Sequence, residues 1–278
     1  MRPSEVLRRA ERYLEIHGVG SPRATAEVLL QHVLGTDRTG LYSRVEGLDA
    51  AEAKAFGRAL CRRCTGTPVQ HLTGHQQFRR LELEVRPGVF VPRPETEVLV
   101  GRALAAISGI AKPDVIDVGT GTGAIALSIA DEAPTARVWA TDLSTDAVGL
   151  ARRNAERLEL DVTVLEGDLF SPLPLELAGS VDLVVSNPPY VGAEEWDALP
   201  PEVRADPGLA LLGGTGIHRR LVKEAPVWLR PGGSLVMEIG DEQGWEVASM
   251  LRDGGFREVR VLPDLAGRDR VVVSVHHG

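Results

Sequence analysis

Long apolar segments are absent from this 278-residue chain, since no run approaches the roughly 18 residues that a membrane-spanning helix needs. A signal peptide is not expected either, because Arg8, Arg9, Glu11 and Arg12 interrupt any apolar segment near the N-terminus. Hydrophobic residues make up 43% of the chain and charged residues 25%, which is typical of a globular protein with a sizeable core. We therefore predict a cytoplasmic protein with one large domain or two unequal ones.

Cysteine is scarce, and the two that occur, Cys61 and Cys64, form a single Cys-x-x-Cys pair. His71 and His75 follow, but the gap after Cys64 is short for a zinc finger. Two residues that share one face of a helix explain the pair better. We therefore expect no metal site.

The negative net charge of −8 is unevenly distributed. Residues 1–80 hold 13 basic and 8 acidic residues, a net of +5, whereas the remainder holds 18 and 31, a net of −13. An acidic main body argues against wrapping duplex DNA, which requires many phosphate contacts. The basic N-terminal part would suit an acidic or RNA-associated partner, or is simply a solvated helix surface. We expect no stable nucleic-acid complex, no membrane association and a monomeric chain.

Residues 1 to about 75 show the apolar period of a small helical bundle. The first helix carries Leu7, Ala10 and Leu14 on one face, the second begins at Ser21-Pro22, and the third covers about 50–63. Residues 76–92 change to strand-like alternation and a turn, which predicts a β-hairpin linker.

From Asp114 onwards, short apolar strands alternate with helices, which predicts a parallel sheet covered by helices on both faces. A helix is expected at about 217–229, then a fifth strand at 234–239 and a helix near 242–252. The segments 259–261 and 271–275 predict an antiparallel hairpin at the sheet edge. Ligands of such folds bind at the carboxyl ends of the strands.

A glycine-rich loop follows the first of these strands, at Gly119, Gly121 and Gly123. Glycine lets the backbone turn tightly and approach a ligand closely. The pattern also fits the looser dinucleotide motif, so the loop alone allows a nicotinamide or an adenosyl cofactor. Asp142 lies about the right number of residues after the loop to bind the ribose hydroxyls of either cofactor. Asp168-Leu169 would line an adenine pocket, or Asp168 is a turn residue.

The strand at Val181–Val185 ends in the tetrapeptide Asn187-Pro188-Pro189-Tyr190. Consecutive prolines have nearly fixed φ angles, so the backbone leaves the strand in one direction and holds the Asn187 amide, the Pro188 carbonyl and the Tyr190 ring in place. An ordinary strand-ending turn is the alternative. A dehydrogenase has no evident use for this tetrapeptide, whereas a methyltransferase that acts on a planar nitrogen does.

Four motifs occur in order, at 91–97, 117–123, 186–190 and 267–271, after a helical N-terminal region. Together they resemble the HemK/PrmC family. The resemblance implies an α/β fold, the class I S-adenosylmethionine-dependent methyltransferase fold, with a Rossmann-like, mostly parallel seven-stranded sheet. It also implies N5 methylation of the glutamine side-chain amide in the Gly-Gly-Gln loop of class-1 peptide chain release factors. Leu169 departs from the pattern, because some relatives carry tryptophan there.

By this resemblance, residues 1–75 would be a release-factor-binding helical bundle, 76–92 a hairpin linker and 93–278 the methyltransferase domain. S-adenosyl-L-methionine would be the cofactor and S-adenosyl-L-homocysteine the product. The catalytic residues would be Asn187, Pro188 and Tyr190. Phe90 and Pro189 would join them in binding the substrate. The cofactor-binding residues would be Gly119, Thr120, Gly121, Thr122, Gly123, Asp142, Leu143, Asp168, Leu169 and Asn187.

Two other functions stay open from the residues. Asn-Pro-Pro-Tyr alone also fits adenine-N6 methylation of RNA or DNA, although the acidic body counts against it. A non-catalytic binding module would be expected to have lost Asn187 or the glycine loop, and both are intact.

Overall fold

The chain, described by a computed structural model over residues 2–278, divides into two units by its internal contacts. One unit contains the chain up to His75 together with Pro200–Ala205. The other contains Gln76–Leu199 and Asp206–Gly278. No helix within residues 2–278 is both long and apolar enough to cross a bilayer.

The first unit is helical, as its apolar period predicts. Its helices are α1 (Pro3–Ile16), α2 (Pro22–Leu34), α3 (Arg38–Ser43), α4 (Ala50–Cys64) and α5 (Val69–Thr73). The short helices α3 and α5 were not predicted. The buried core consists of Leu7, Ala10, Leu14, Ala26, Leu29, Leu30, Leu41 and Phe56.

Local signals set the ends of these helices. Gly35 ends α2 in the left-handed region at φ 60°, a conformation that glycine adopts without steric cost. A capping box begins α4, where the Asp49 carboxylate accepts from the Glu52 backbone N–H and the Glu52 side chain accepts from Asp49 N–H. The cysteines lie in the last turn of α4, Cys61 exposed and Cys64 partly buried.

The second unit alternates strands and helices. Its strands are β1 (His75–Phe78), β2 (Leu81–Glu84), β3 (Asp114–Val118), β4 (Arg137–Asp142), β5 (Val162–Glu166), β6 (Val181–Ser186), β7 (Leu229–Glu238), β8 (Phe256–Pro263) and β9 (Asp269–His276). Its helices are α6 (Thr96–Ala106), α7 (Ala124–Glu132), α8 (Thr145–Leu158), α9 (Gly208–Leu211), α10 (Gly216–Glu224) and α11 (Gly244–Asp253). Strands β1 and β2 form a separate two-stranded sheet.

The main sheet has seven strands in the order β5-β4-β3-β6-β7-β9-β8. The first five are mutually parallel, while β9 runs antiparallel to both β7 and β8. The prediction of a mostly parallel seven-stranded sheet with an antiparallel hairpin at its edge is therefore confirmed.

Both faces of the sheet are buried, which explains why its central strands are apolar throughout. In β6, Leu183 and Val185 belong to a core with residues of α6, α7 and α8, whereas Val184 belongs to a second core with residues of α10 and α11. Phe78 and Leu83 of the small sheet belong to the first of these cores.

The prediction of a helix up to residue 229 is wrong. Helix α10 ends at Glu224, a short 3-10 turn covers Ala225–Val227, and Leu229 already belongs to β7. Pro226 has no N–H with which to continue a helix. The pairing of β7 with β6 is irregular at Pro231-Gly232-Gly233 and becomes regular again from Ser234.

The register of the central strands determines which loops meet. Val118 of β3 pairs with Ser186 of β6, and Ser186 pairs with Met237 of β7. Neighbouring strands lie about 4.8 Å apart. The residues that follow these three therefore leave the sheet side by side at its carboxyl edge.

Candidate active site

The glycine loop after β3 is bound to the end of β4 through its backbone. The N–H groups of Gly119 and Thr120 both donate to the Thr141 carbonyl, at 2.8 and 3.0 Å. Gly119, Gly121 and Gly123 all have positive φ. A Cβ at Gly123 would lie 2.9 Å from Leu127 Cδ1, so a larger residue there would require the Leu127 side chain of α7 to move.

The first residue of this motif, Asp117, is a buried carboxyl group. Its Oδ2 accepts from the Thr120 hydroxyl at 2.7 Å and from Ala126 N–H at 3.2 Å, while its Oδ1 has no partner within residues 2–278. Burial raises its pKa to about 7, against the lowering effect of these two donors. Thr122, also buried, accepts at its carbonyl from the Asn154 side chain.

Asp142 connects the end of β4 to the glycine loop. Its Oδ2 accepts from Gly121 N–H at 2.8 Å and its Oδ1 from Ser144 N–H at 2.9 Å. Burial raises its pKa and these backbone donors oppose the rise. The next side chain, Leu143, is 56% exposed.

Asp168 and Leu169 follow the end of β5. Both Asp168 carboxylate oxygens accept from the Arg220 guanidinium, at 3.0 and 2.9 Å, in a largely exposed pair. Leu169 is partly buried with φ 49°, and Phe170 stacks on Trp228 with ring centroids 5.9 Å apart.

The Asn187-Pro188-Pro189-Tyr190 segment leaves β6 beside the glycine loop, and the Ser186 hydroxyl donates to the Val118 carbonyl at 2.7 Å. The Asn187 Nδ2 group donates to Thr96 Oγ1 at 3.2 Å. Within residues 2–278, neither Asn187 Oδ1 nor the Pro188 carbonyl oxygen has a hydrogen-bond partner. Two acceptors at the end of this strand are therefore free to bind N–H groups.

Contacts with two later segments hold the rest of the tetrapeptide. The Gln243 side-chain amide donates to the Tyr190 carbonyl at 2.8 Å, and the Tyr190 hydroxyl donates to Glu238 Oε1 at 3.3 Å. Gly213 packs so closely on Pro189 that a Cβ there would lie 2.3 Å from the Pro189 carbonyl oxygen. Burial and the nearby Glu238 carboxylate raise the Tyr190 pKa, which keeps the phenol protonated.

Phe90 lies in the segment before α6 and is partly buried. The Arg93 guanidinium lies over its ring, 5.3 Å from the centroid. Arg93 also forms an ion pair with the buried carboxylate of Asp206, which accepts from Val91 N–H at 3.2 Å. Asp206 thus connects the Phe90 segment to the loop that follows residue 205.

Sequence reasoning assigned no role to Thr96, Asp206, Glu238 or Gln243. Thr96 lies within the 91–97 motif, but the motif does not say what the hydroxyl contacts. Glu238 had a local signal, since it is the one carboxylate in the otherwise apolar run at 235–239. Asp206 and Gln243 lie in polar segments where nothing distinguishes them from solvent-exposed residues.

The glycine loop fits a ligand that approaches its backbone. A Cβ built on Gly119 or Gly121 would meet no atom of residues 2–278 within 4 Å beyond the glycine's own chain neighbours, in contrast to Gly123. Asp142 ends β4 and Asp168 follows β5, and these are the next two strands of the sheet after β3. Among the residues described, no group of three or more histidine, cysteine, aspartate or glutamate side chains could hold a metal ion.

Comparison with known proteins gives consistent matches along the chain. The PrmC N-terminal domain family matches residues 5–74, and the methyltransferase small domain family matches residues 82–199. The structure of a methyltransferase from Pyrococcus furiosus is similar to this chain, with a TM-score of 0.53 and 17% identity. The match covers 80% of this chain and 100% of the Pyrococcus furiosus chain. The predicted methyltransferase fold is therefore confirmed.

Curated relatives match over almost the full length. A release factor glutamine methyltransferase of Moorella thermoacetica is 44% identical over 97% of each chain. One from Deinococcus radiodurans is 42% identical over 98% of each chain. This chain therefore belongs to the family of the release factor glutamine methyltransferases.

Proposed function

We propose that this protein transfers a methyl group from S-adenosyl-L-methionine to the N5 side-chain amide nitrogen of the glutamine in the Gly-Gly-Gln motif of class-1 peptide chain release factors. The observation that carries this function is the pair of free acceptors, Asn187 Oδ1 and the Pro188 carbonyl, next to the glycine loop. A primary amide has two N–H groups, which match two acceptors.

These two acceptors would orient and activate the amide nitrogen of the substrate. An amide nitrogen is a poor nucleophile because its lone pair is delocalised. Asn187 Oδ1 and the Pro188 carbonyl accept hydrogen bonds from the two N–H groups of the substrate amide. These bonds orient the nitrogen and favour positive charge on it. The surplus proton then leaves to water. Tyr190 would pack on the amide plane, where its ring face suits a nitrogen that becomes cationic, and Pro189 would keep the segment rigid.

S-adenosyl-L-methionine supplies a methyl group on a sulfonium sulfur and is left as S-adenosyl-L-homocysteine. We propose that Gly119, Thr120, Gly121, Thr122 and Gly123 admit this cofactor along their backbone. Asp142 would hold the ribose, with Leu143 beside it, and Asp168 and Leu169 would line the adenine. The two backbone donors that Asp142 already binds hold its carboxylate in place. Phe90 would pack beside the stem of the substrate glutamine.

We further propose that the unit containing residues 1–75 binds the release factor, while 76–92 and 93–278 support and perform the chemistry. Arg8, Arg9 and Arg12 support this role, because all three are exposed on α1 and have no ion-pair partner within residues 2–278. Release factors work in translation termination, so we place the protein in the cytoplasm.

The reaction is tested by incubating the protein with methyl-labelled S-adenosylmethionine and a purified class-1 release factor. We expect label in the native factor and none when its loop glutamine is replaced by alanine. No label in the native factor, with cofactor binding intact, would contradict the proposal. Equal label in the two factors would place the methyl group elsewhere.

The docking role is tested by reversing charge at Arg8, Arg9 and Arg12 with glutamate. We expect KM for the release factor to rise about tenfold, with a weaker dependence on salt, because exposed charges mainly steer association. The matched control also reverses three exposed arginines, Arg252 of α11 and Arg257 and Arg260 of the edge strand β8. The same rise in the control would contradict a specific role for α1.

A further inference from the structure

Glu238 is a buried carboxylate beside the Asn187-Pro188-Pro189-Tyr190 segment. The proposed reaction gives this carboxylate no role. It is the last residue of β7, and only 1% of its surface is exposed. Because Ser186 pairs with Met237, Glu238 and Asn187 leave neighbouring strands side by side. A charged group this deeply buried is costly unless it has partners.

One hydroxyl group is hydrogen-bonded to the Glu238 carboxylate, and a second lies close to it. Tyr190 donates to Glu238 Oε1 at 3.3 Å. The Thr96 hydroxyl is close enough to lower the pKa of the carboxylate, but no hydrogen bond joins the two groups, and Oε2 has no partner within residues 2–278. Thr96 in turn accepts from the Asn187 amide at 3.2 Å. Thr96 therefore lies between Glu238 and Asn187, in position to form a hydrogen-bond relay from one to the other.

The chemistry of the three groups gives this relay one direction. An ionised carboxylate only accepts hydrogen bonds, so a Thr96 hydroxyl that binds Glu238 must donate its proton to the carboxylate. Thr96 Oγ1 can then only accept from its other neighbour, so Asn187 must offer Nδ2 to it. The Asn187 Oδ1 atom is thereby turned away from Thr96 and is left to accept a substrate N–H.

We propose that Glu238 is a positioning residue for methyl transfer: through Thr96 it sets the orientation of the Asn187 amide, and through the Tyr190 hydroxyl it fixes the ring. This inference rests on the proposed function. A neutral group at 238 could donate to Thr96, and Thr96 would then donate to Asn187 Oδ1. The reversed amide would present its Nδ2 donor to the N–H donors of the substrate. Two donors cannot form a hydrogen bond and repel each other.

The charges around Glu238 make the relay sensitive to pH. Burial raises the pKa of Glu238 to about 7 and the nearby Glu95 adds to the rise, while Thr96, Arg270 and Tyr190 lower it. Arg270 also donates to the Ile239 carbonyl and pairs with Asp264. The neighbouring ring of His218 bonds the Glu238 backbone carbonyl and not the carboxylate. The orienting form of the relay is thus present above about pH 7 and is lost as pH falls.

The main test compares Glu238→Gln with the native protein, using release factor methylation and cofactor binding together. We expect kcat to fall about 100-fold, the scale of a misplaced reacting group, while the dissociation constant for S-adenosylmethionine and the KM for the release factor change less than threefold. The native kcat should rise with pH through about 7, and this rise should be absent in Glu238→Gln. Native kcat in Glu238→Gln, or an unchanged pH profile, would overturn the proposal.

Thr96 provides a second test that leaves the buried carboxylate in place. We expect Thr96→Val to lower kcat as Glu238→Gln does, and Thr96→Ser, which keeps the hydroxyl, to restore most of it. The double variant of Glu238→Gln with Thr96→Val should be no slower than either single variant, because both break one relay. Fully additive losses would show that the two residues act separately.

A measurement without substrate separates this inference from the proposed function. In 15N-labelled protein, the Asn187 side-chain NH₂ resonances should exchange slowly with water in the native chain and faster in Glu238→Gln and Thr96→Val. Slow exchange with no release factor methylation would overturn the function and keep the relay. Fast exchange in the native protein would overturn the relay alone.

Discussion

The loops after β3 and β6 are neighbours at one edge of the sheet, yet different interactions hold them. The loop after β3 is held within one strand–helix–strand unit: Asp117 binds Thr120 and Ala126, and Gly121 N–H donates to Asp142, 21 residues further on. The loop after β6 is held by side chains far along the chain, since Asn187 bonds a threonine 91 residues away. A loop held within one such unit can be identified from a motif, whereas a loop held by distant segments can be understood only in the folded protein.

The largest expected effect comes from Asn187→Ala, which removes one of the two acceptors after β6. We expect kcat to fall about 10³-fold, the upper end of the loss when one stabilising hydrogen bond to the reacting group is removed. The dissociation constant for S-adenosylmethionine, measured by calorimetry, should change less than fivefold. Equal loss of cofactor binding and turnover would contradict separate roles for the two loops, with the loop after β3 binding the cofactor and the loop after β6 binding the substrate amide.

Asp117→Asn examines the local network of the loop after β3. Because the folded pKa of Asp117 is raised to about 7, its contribution to stability is complete below about pH 4 and is lost as pH rises through 7. Relative to Asp117→Asn, the native unfolding free energy should therefore fall by about 2–4 kcal/mol between pH 4 and 8.

Denaturant unfolding at several pH values measures this difference. The control is Asp161→Asn, which removes the same charge at an exposed position that makes no hydrogen bond within residues 2–278. A parallel pH dependence in all three proteins would contradict the role of Asp117.

Gly119→Ala separates backbone conformation from cofactor contact in the loop after β3. Gly119 has φ 75°, so alanine should lower the unfolding free energy by about 1–2 kcal/mol. The new methyl group would project into a space where, apart from the chain neighbours of Gly119, residues 2–278 place no atom within 4 Å. We therefore expect the dissociation constant for S-adenosylmethionine to rise about 10- to 100-fold.

Gly109→Ala is the matched control for that variant. Gly109 has φ 87° and, like Gly119, no described residue other than its chain neighbours within 4 Å of a built Cβ, but it lies in the exposed turn before β3. The two variants should lose similar stability, while only Gly119→Ala weakens cofactor binding. Weaker binding in both would assign the effect to stability alone.

The smallest expected effect concerns Asp168 and its exposed ion pair. Asp168→Ala should raise the dissociation constant for S-adenosylmethionine about three- to tenfold, the worth of one hydrogen bond of about 0.5–1.5 kcal/mol. Arg220→Ala removes the ion pair and keeps the carboxylate, so it should change binding less than twofold and stability less than about 0.5 kcal/mol. A larger effect of Arg220→Ala would show that the pair, and not Asp168, shapes this part of the site.

Much of the fold could be predicted from local pattern. Period and capping signals indicated α1, α2 and α4, and apolar runs between glycine and proline turns indicated the strands of the main sheet. The prediction failed at residues 225–229, where Trp228 and Leu229 continue the apolar pattern of α10 although the chain has already turned towards β7. Apolar residues buried by a strand and by a helix look alike over so short a run.

The sequence by itself determined the order of strands and helices, the positive-φ glycines after β3 and the rigid Asn-Pro-Pro-Tyr exit from β6, because each depends on residues close in the chain. The tertiary structure alone decided that Glu238, Thr96 and Asn187 meet. Strand register places Glu238 beside Asn187, and the packing of α6 brings Thr96 to both. No local pattern records the order in which strands are arranged, so the partners of the substrate motif emerge only once the sheet has formed.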